Sequence, residues 1–206
     1  MFPKPWRHRL YQPPRTLSLS EMAEKLERML PAERLAHSMG TMEEAVRLAE
    51  RFGGPVEQAR VAGLLHDCAK GLSLSAMQDL AREIGIAVDP ERFAYGELLH
   101  APLGAALLRR EFGVTDPDIL RAVKWHNTGK DPMDTLELIV YLADKIEPTR
   151  KRRYGLDVVR RMALTSLEKA TAESMRQSLE YLKRTGRWAH PDTQAAYEAL
   201  VRKFKK

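Results

Sequence analysis

The chain has 206 residues, 44% of them apolar, and a formal net charge of +6, which is material for one packed core and leaves little room for a second domain. Its single cysteine, Cys68, excludes an intramolecular disulfide, and neither end reads as a signal peptide or a bilayer span, so a cytoplasmic location is expected. The positive charge is terminal: Lys4, Arg7, Arg9 and Arg15 lie in a head without acids and Arg202, Lys203, Lys205 and Lys206 close the tail, so that without these eight the +6 becomes −2 and the body offers no broad basic face to nucleic acid.

Residues 1–18 carry Pro3, Pro5, Pro13 and Pro14 among scattered aromatics without a sustained period, and are expected to form a loosely ordered basic extension. From Ser20 onward apolar residues recur at three- and four-residue spacing, which predicts one all-helical bundle domain over 19–206. Pro31 fits the first turn of a helix that stops at Gly53-Gly54-Pro55. The next helix runs from about Val56 to Lys70, with Gly71 as a left-handed cap. Ser75 and Gln78 have capping-box spacing for a short helix ending near Gly85. A further helix begins near Ala101-Pro102 and ends at Gly113, and Asp116-Pro117 opens one that reaches His126. The most apolar stretch, Leu136 to Glu147, ends at Pro148. Leu156 to Lys183 and Asp192 to Phe204 read as amphipathic helices separated by Gly186 and Pro191, without candidate ligands.

His66 and Asp67 form a tandem polar pair in an apolar run, Ala62-Gly63-Leu64-Leu65-His66-Asp67, and burying two such groups is costly without partners or a metal. On a helix the two side chains point about 100° apart, so one ion takes both only at the helix edge, whereas two ions can share the carboxylate. His37 and Asp144 complete a two-His, two-Asp set for one divalent ion, and His100 and His126 have the chemistry for a second. Two such ions, two carboxylates and four neutral imidazoles leave about +2, a charge that favours an anion. Lys70, one turn after His66, and Arg34 near His37 would add to it. Phosphate is the natural ligand for such a site.

The ordered segments Arg34-Leu35-Ala36-His37-Ser38, Leu64-Leu65-His66-Asp67-Cys68-Ala69-Lys70, Leu98-Leu99-His100-Ala101-Pro102, Trp125-His126-Asn127-Thr128-Gly129 and Ala143-Asp144-Lys145-Ile146-Glu147-Pro148 resemble the successive motifs of the YqeK-type HD-superfamily hydrolases. The resemblance covers most of Leu30 to Phe204. It implies an HD-domain helical bundle with additional C-terminal helices, and symmetrical hydrolysis of diadenosine tetraphosphate to two ADP at a two-metal centre, often iron, with manganese, cobalt or zinc as other candidates. It implies metal ligation by His37, His66, Asp67, His100, His126 and Asp144, with Lys70, Arg34 and Thr128 near the phosphates. On this reading the ions lower the pKa of bound water from about 15.7 toward roughly 7, hydroxide attacks phosphorus in line, Asp67 bridges and orients the ions, and Lys70 and Arg34 offset growing negative charge. A dinucleoside polyphosphate or related nucleotide is the expected partner. Homodimerisation is left open, and nucleic acid is not expected.

Three other readings keep the same residues: a nucleotidase or guanosine-alarmone phosphohydrolase, a di-iron oxygenase, and a non-catalytic metal and nucleotide sensor. Taken singly, His37 or His126 could be a hydrogen-bonded helix histidine, and Asp144 could pair with Lys145 or Arg150. Cys68 is expected as a buried thiol rather than a nucleophile, Gly63 as a helix-packing glycine, Trp125, Tyr141 and Tyr181 as packing residues, and His8 and His190 as solvent-facing or capping residues.

Overall fold

A computed structural model describes residues 14–150 and 155–204. These form eleven helices in order and, among the described residues, no strand: α1 (Leu19–Met29), α2 (Ala32–Phe52), α3 (Val56–Leu65), α4 (Leu74–Glu83), α5 (Pro90–Ala94), α6 (Gly96–Phe112), α7 (Pro117–Trp125), α8 (Thr135–Ile146), α9 (Leu156–Met162), α10 (Leu167–Arg184) and α11 (Pro191–Phe204). The all-helical expectation holds. No described helix is long and apolar enough to cross a membrane. Of the expected extension, residues 1–13 lie outside the described residues. Thr16 donates to the Gly113 carbonyl at 2.8 Å, the Leu17 amide donates to that of Phe112 at 3.1 Å, and Ser18 caps α1 in a capping box with Glu21.

The centre is α8, whose residues from Leu136 through Asp144 are all buried. It starts on a reciprocal Asp134–Glu137 capping box and packs against α2, α3, α7 and α10, while α7 also packs on α3 and α6. Burial on every side explains why this stretch is apolar without a polar stripe. α2 runs beside α3 at close range because Gly63 has no side chain: a Cβ there would meet Met42 Cα at 2.9 Å and Ala45 Cβ at 3.1 Å. Gly53 and Gly113 end α2 and α6 in left-handed conformation, and the Asp116 carboxylate accepts from the Asp118 and Ile119 amides, as their sequence positions predict.

Several boundaries differ from expectation. α3 ends at Leu65, and residues 66–71 continue as tight turns, with the Cys68 amide on the Leu65 carbonyl and the Lys70 amide on that of Asp67. Gly71 is not left-handed; it is small because a Cβ would run into the Met29 carbonyl. The cap of α4 is Ser73 rather than Ser75, and Gln78 instead donates to the Phe93 carbonyl at 2.9 Å. α6 begins at Gly96, which leaves Pro102 inside the helix and not in its first turn. The 156–183 segment is two helices, because Ser166 accepts the Lys169 amide and starts α10 afresh. Tyr141 is core as expected, whereas Tyr181 is exposed. Trp125 is half-buried, with Arg92 and Lys124 over its ring.

Candidate metal centre

Five elements deliver the site. His37 comes from α2, His66 and Asp67 from the turn after α3, His100 from the second turn of α6, His126 from the end of α7 and Asp144 from the last turn of α8. All six side chains are buried. Asp67 stands between two groups. Its Oδ1 lies 3.2 Å from His100 Nε2 and 3.5 Å from His126 Nε2, and its Oδ2 lies 3.6 Å from His66 Nε2 and 3.8 Å from His37 Nε2. Asp144 Oδ1 is 3.0 Å from His37 Nε2 and 3.6 Å from His66 Nε2. Within each histidine pair the Nε2 atoms face one another, at 3.2 Å for His37 and His66 and at 3.1 Å for His100 and His126. Three overlapping triads could each hold a metal ion: His37, His66 and Asp67; His66, His126 and Asp144; and Asp67, His100 and His126.

The outer nitrogens explain the orientation of the rings. His66 Nδ1 sits 2.8 Å from the Gly63 carbonyl, His126 Nδ1 2.7 Å from that of Val123, His100 Nδ1 3.2 Å from that of Gly96, and His37 Nδ1 3.0 Å from Glu147 Oε1. Acceptors at every Nδ1 place the proton there and turn the Nε2 lone pairs inward. Lone pairs about 3.1–3.2 Å apart repel unless a proton or a cation lies between them. The donor chemistry therefore fits divalent transition ions, and Asp67 places one oxygen near each histidine pair.

Electrostatics agree with a carboxylate centre that stays ionised. Burial alone raises the Asp67 carboxyl, but His66, His100 and His126 outweigh it and hold the group well below the carboxylate range. Asp144 is likewise lowered against burial, by Lys145, His37, His66 and Arg150. Burial brings His100 down to about 4 and His126 below its usual value, in each case against the pull of Asp67, which keeps these imidazoles neutral and ligand-competent.

Cations gather on one side. Arg34 Nη1 is 3.5 Å from Asp67 Oδ2, Lys145 Nζ 2.6 Å from Asp144 Oδ2, and Arg150 Nη2 2.6 Å from Asp144 Oδ1. Both pairings anticipated for Asp144 thus occur together with its approach to the histidines. Lys70 is partly buried, and burial lowers its ammonium while Asp67 opposes the shift and Arg34 adds to it, so it belongs to the same field. Its position derives from the turn after α3 and not from helical periodicity. Thr128 is buried, donating to the Gly129 carbonyl at 3.0 Å and meeting Arg92 Nη2 at 3.5 Å. Cys68 is a buried thiol that burial and Asp67 push up. His190 is a cap, its Nδ1 accepting the Asp192 amide at 3.1 Å; His8 lies outside the described residues.

Glu147 escaped the sequence reading as a site residue. It is fully buried, receives His37 Nδ1, and is itself fixed by the Thr149 amide at 2.6 Å and hydroxyl at 2.7 Å. Gly40 gives it room, since a Cβ there would approach Glu147 Oε2 to 2.6 Å. The available signal was its place one turn after Asp144. Arg150 entered the sequence reading only as an alternative partner for Asp144, yet its Nη2 also lies 3.3 Å from His37 Nε2.

A buried cluster of four imidazoles and two carboxylates that could hold metal ions, set at the junction of packed helices, defines the class of this site. The chain belongs to the HD domain family, which it matches over residues 34–149. It is 39% identical over 177 residues, 85% of this chain and 94% of the relative, to a protein of Bacillus subtilis named symmetrical bis(5'-nucleosyl)-tetraphosphatase. A protein of the same name from Halalkalibacterium halodurans is 38% identical over 172 residues, 84% of this chain and 91% of the relative. A crystal structure of a predicted HD superfamily hydrolase involved in NAD metabolism from Clostridium acetobutylicum superposes with a TM-score of 0.87 at 34% identity, covering 91% of this chain and 99% of that one.

Proposed function

We propose that the chain hydrolyses diadenosine tetraphosphate and related dinucleoside polyphosphates symmetrically, giving two ADP from the former. His37, His66, Asp67, His100, His126 and Asp144 would hold two divalent transition ions, with iron the first candidate and manganese, cobalt and zinc the others. The observation that carries the reading is the convergence of four imidazole Nε2 atoms around the two oxygens of one buried carboxylate. The naming of the Bacillus subtilis and Halalkalibacterium halodurans relatives supports the substrate.

Bound ions would supply Lewis acidity toward water and toward phosphate oxygens. The protein's own contribution is positional. Asp67 presents one oxygen to each histidine pair, and Asp144 serves the His37 and His66 side. The Nδ1 hydrogen bonds fix each ring, so no reorganisation is needed when charge builds up. Arg34, Lys145 and Arg150 line the cavity beside His37, where they would pair with the phosphate chain, and Lys70 adds its charge from the turn below. Thr128, on the same cavity, would offer a hydroxyl to a phosphate oxygen.

The test is incubation of the purified protein with diadenosine tetraphosphate, with separation of products and elemental analysis of the bound metal. Two ADP and two ions per chain are expected. ATP with AMP, inorganic phosphate or pyrophosphate as the first product would refute the symmetrical reading, and dioxygen consumption would point to the oxygenase instead. Tight nucleotide binding without turnover would favour a sensor.

A further inference from the structure

The large cavity at the candidate centre does not stop at the phosphate-binding cations. It has a volume of about 1130 Å³ and continues from Arg34, His37 and Arg150 to Tyr181, Arg187 and Trp188 on α10 and the α10–α11 connection. A pocket for one small molecule typically measures about 300–1,000 Å³. The far wall is supplied by residues beyond 149, outside the region matched by the HD domain. It also carries a tryptophan that is 48% exposed. Large aromatic surface left open on the wall of a cavity that also carries charged groups suits a planar ligand better than it suits water.

Trp188 is also well held. Its ring meets His190 edge to face, with centroids 5.4 Å apart. His190 is buried, with Nε2 3.3 Å from Asp89 Oδ2 and Nδ1 accepting the Asp192 amide at 3.1 Å. Arg92 ties Asp89 to Asp192 and reaches Thr128 at 3.5 Å. A single polar network therefore joins the Trp188 wall to a residue beside the candidate centre.

We propose that Trp188, with Arg187 beside it, is the stacking platform for a nucleobase of the substrate and makes the enzyme prefer polyphosphates that carry a nucleoside over bare polyphosphate. The inference rests on the phosphohydrolase reading above. A base stacked on an aromatic ring gains affinity without demanding a particular hydrogen-bond pattern, so the platform accepts either purine, and substrates ending in guanosine should also be taken.

The experiment compares Trp188→Ala and Trp188→Phe with the unaltered protein through KM for diadenosine tetraphosphate and through Ki for inorganic tripolyphosphate, which has no base. Trp188→Ala should raise KM for the two-base substrate by about tenfold with little change in kcat, and Trp188→Phe should restore most of the loss. Ki for tripolyphosphate should move much less. An unchanged KM for diadenosine tetraphosphate, or an equal loss on both compounds, overturns the proposal while leaving the hydrolase reading intact. If the unaltered protein makes no ADP, the hydrolase reading fails by itself, and tryptophan fluorescence decides the platform: ADP should quench emission, and Trp188→Phe should remove that quenching. Quenching that persists in Trp188→Phe overturns the proposal.

Discussion

The two histidine pairs of the candidate centre are built from the same donors but live in different surroundings. His37 and His66 face Asp67 Oδ2 and Asp144, with Arg34, Lys145 and Arg150 close by, and His37 lines the large cavity. His100 and His126 face Asp67 Oδ1 and anchor their Nδ1 atoms on backbone carbonyls, and of the two only His126 also shares a triad with Asp144. Only His37 takes its orientation from another carboxylate, that of Glu147. The first pair is thus the side that borders the cations and the cavity, and the second the enclosed side. Asp67 is the one group common to both.

Removing that common group has the largest expected effect. Asp67→Ala should lower turnover to below about a thousandth and reduce bound metal from two ions toward none, because it withdraws a ligand from both sides at once. His66→Ala should match it in activity. Near-normal turnover in both metal-deficient proteins would break the comparison altogether. Next comes exchange. Timed chelation should release one ion before the other, the fast one from the His37 side, and His37→Ala should leave only the slow component. Simultaneous release from the unaltered protein would mean that the two sides are not distinct. Full chelation should also lower Tm by several degrees, since the inward-facing donors lose their partner; an unchanged melting curve would confine the ions to chemistry.

Much of this arrangement was legible in the sequence, and the illegible parts have physical reasons. Gly53, Gly113 and Asp116-Pro117 punctuate the chain by local geometry, which is why those boundaries agree. The six candidate ligands, read from ordered motifs, do meet in one buried cluster. Pro102 misled because proline favours a first turn, whereas packing around the buried early half of α6 keeps it inside the helix. Ser166 restarts a helix with neither glycine nor proline to announce it, and Lys70 reaches the site through turns whose period is not 3.6. The Asp89, Arg92, His190 and Asp192 network joins residues about a hundred positions apart, and no local pattern carries a partner at that range.

A smaller effect should separate the two sides through their supports. Glu147→Gln keeps the size of the side chain but removes its charge, so His37 loses ligand basicity and ring fixation while His100 and His126 keep their carbonyl partners. Metal affinity on the first side should fall by about 10- to 100-fold, with the second ion retained and Tm little changed. Equal weakening of both ions would show that Glu147 acts through general packing.

The smallest change is expected at Lys70, which contributes charge without standing among the inward-facing donors. An ammonium acting on the proposed phosphate chain through space predicts that Lys70→Ala raises KM several-fold while leaving metal content at two ions, and that the rise shrinks as salt screens the field. Lys70→Arg keeps the charge and should recover most of the loss, although a guanidinium is bulkier in a partly buried turn. If KM and its salt dependence both stay at their original values in Lys70→Ala, the cationic side of the centre consists of Arg34, Lys145 and Arg150 alone. The asymmetry between the two histidine pairs would then originate entirely from α2 and the residues around the end of α8.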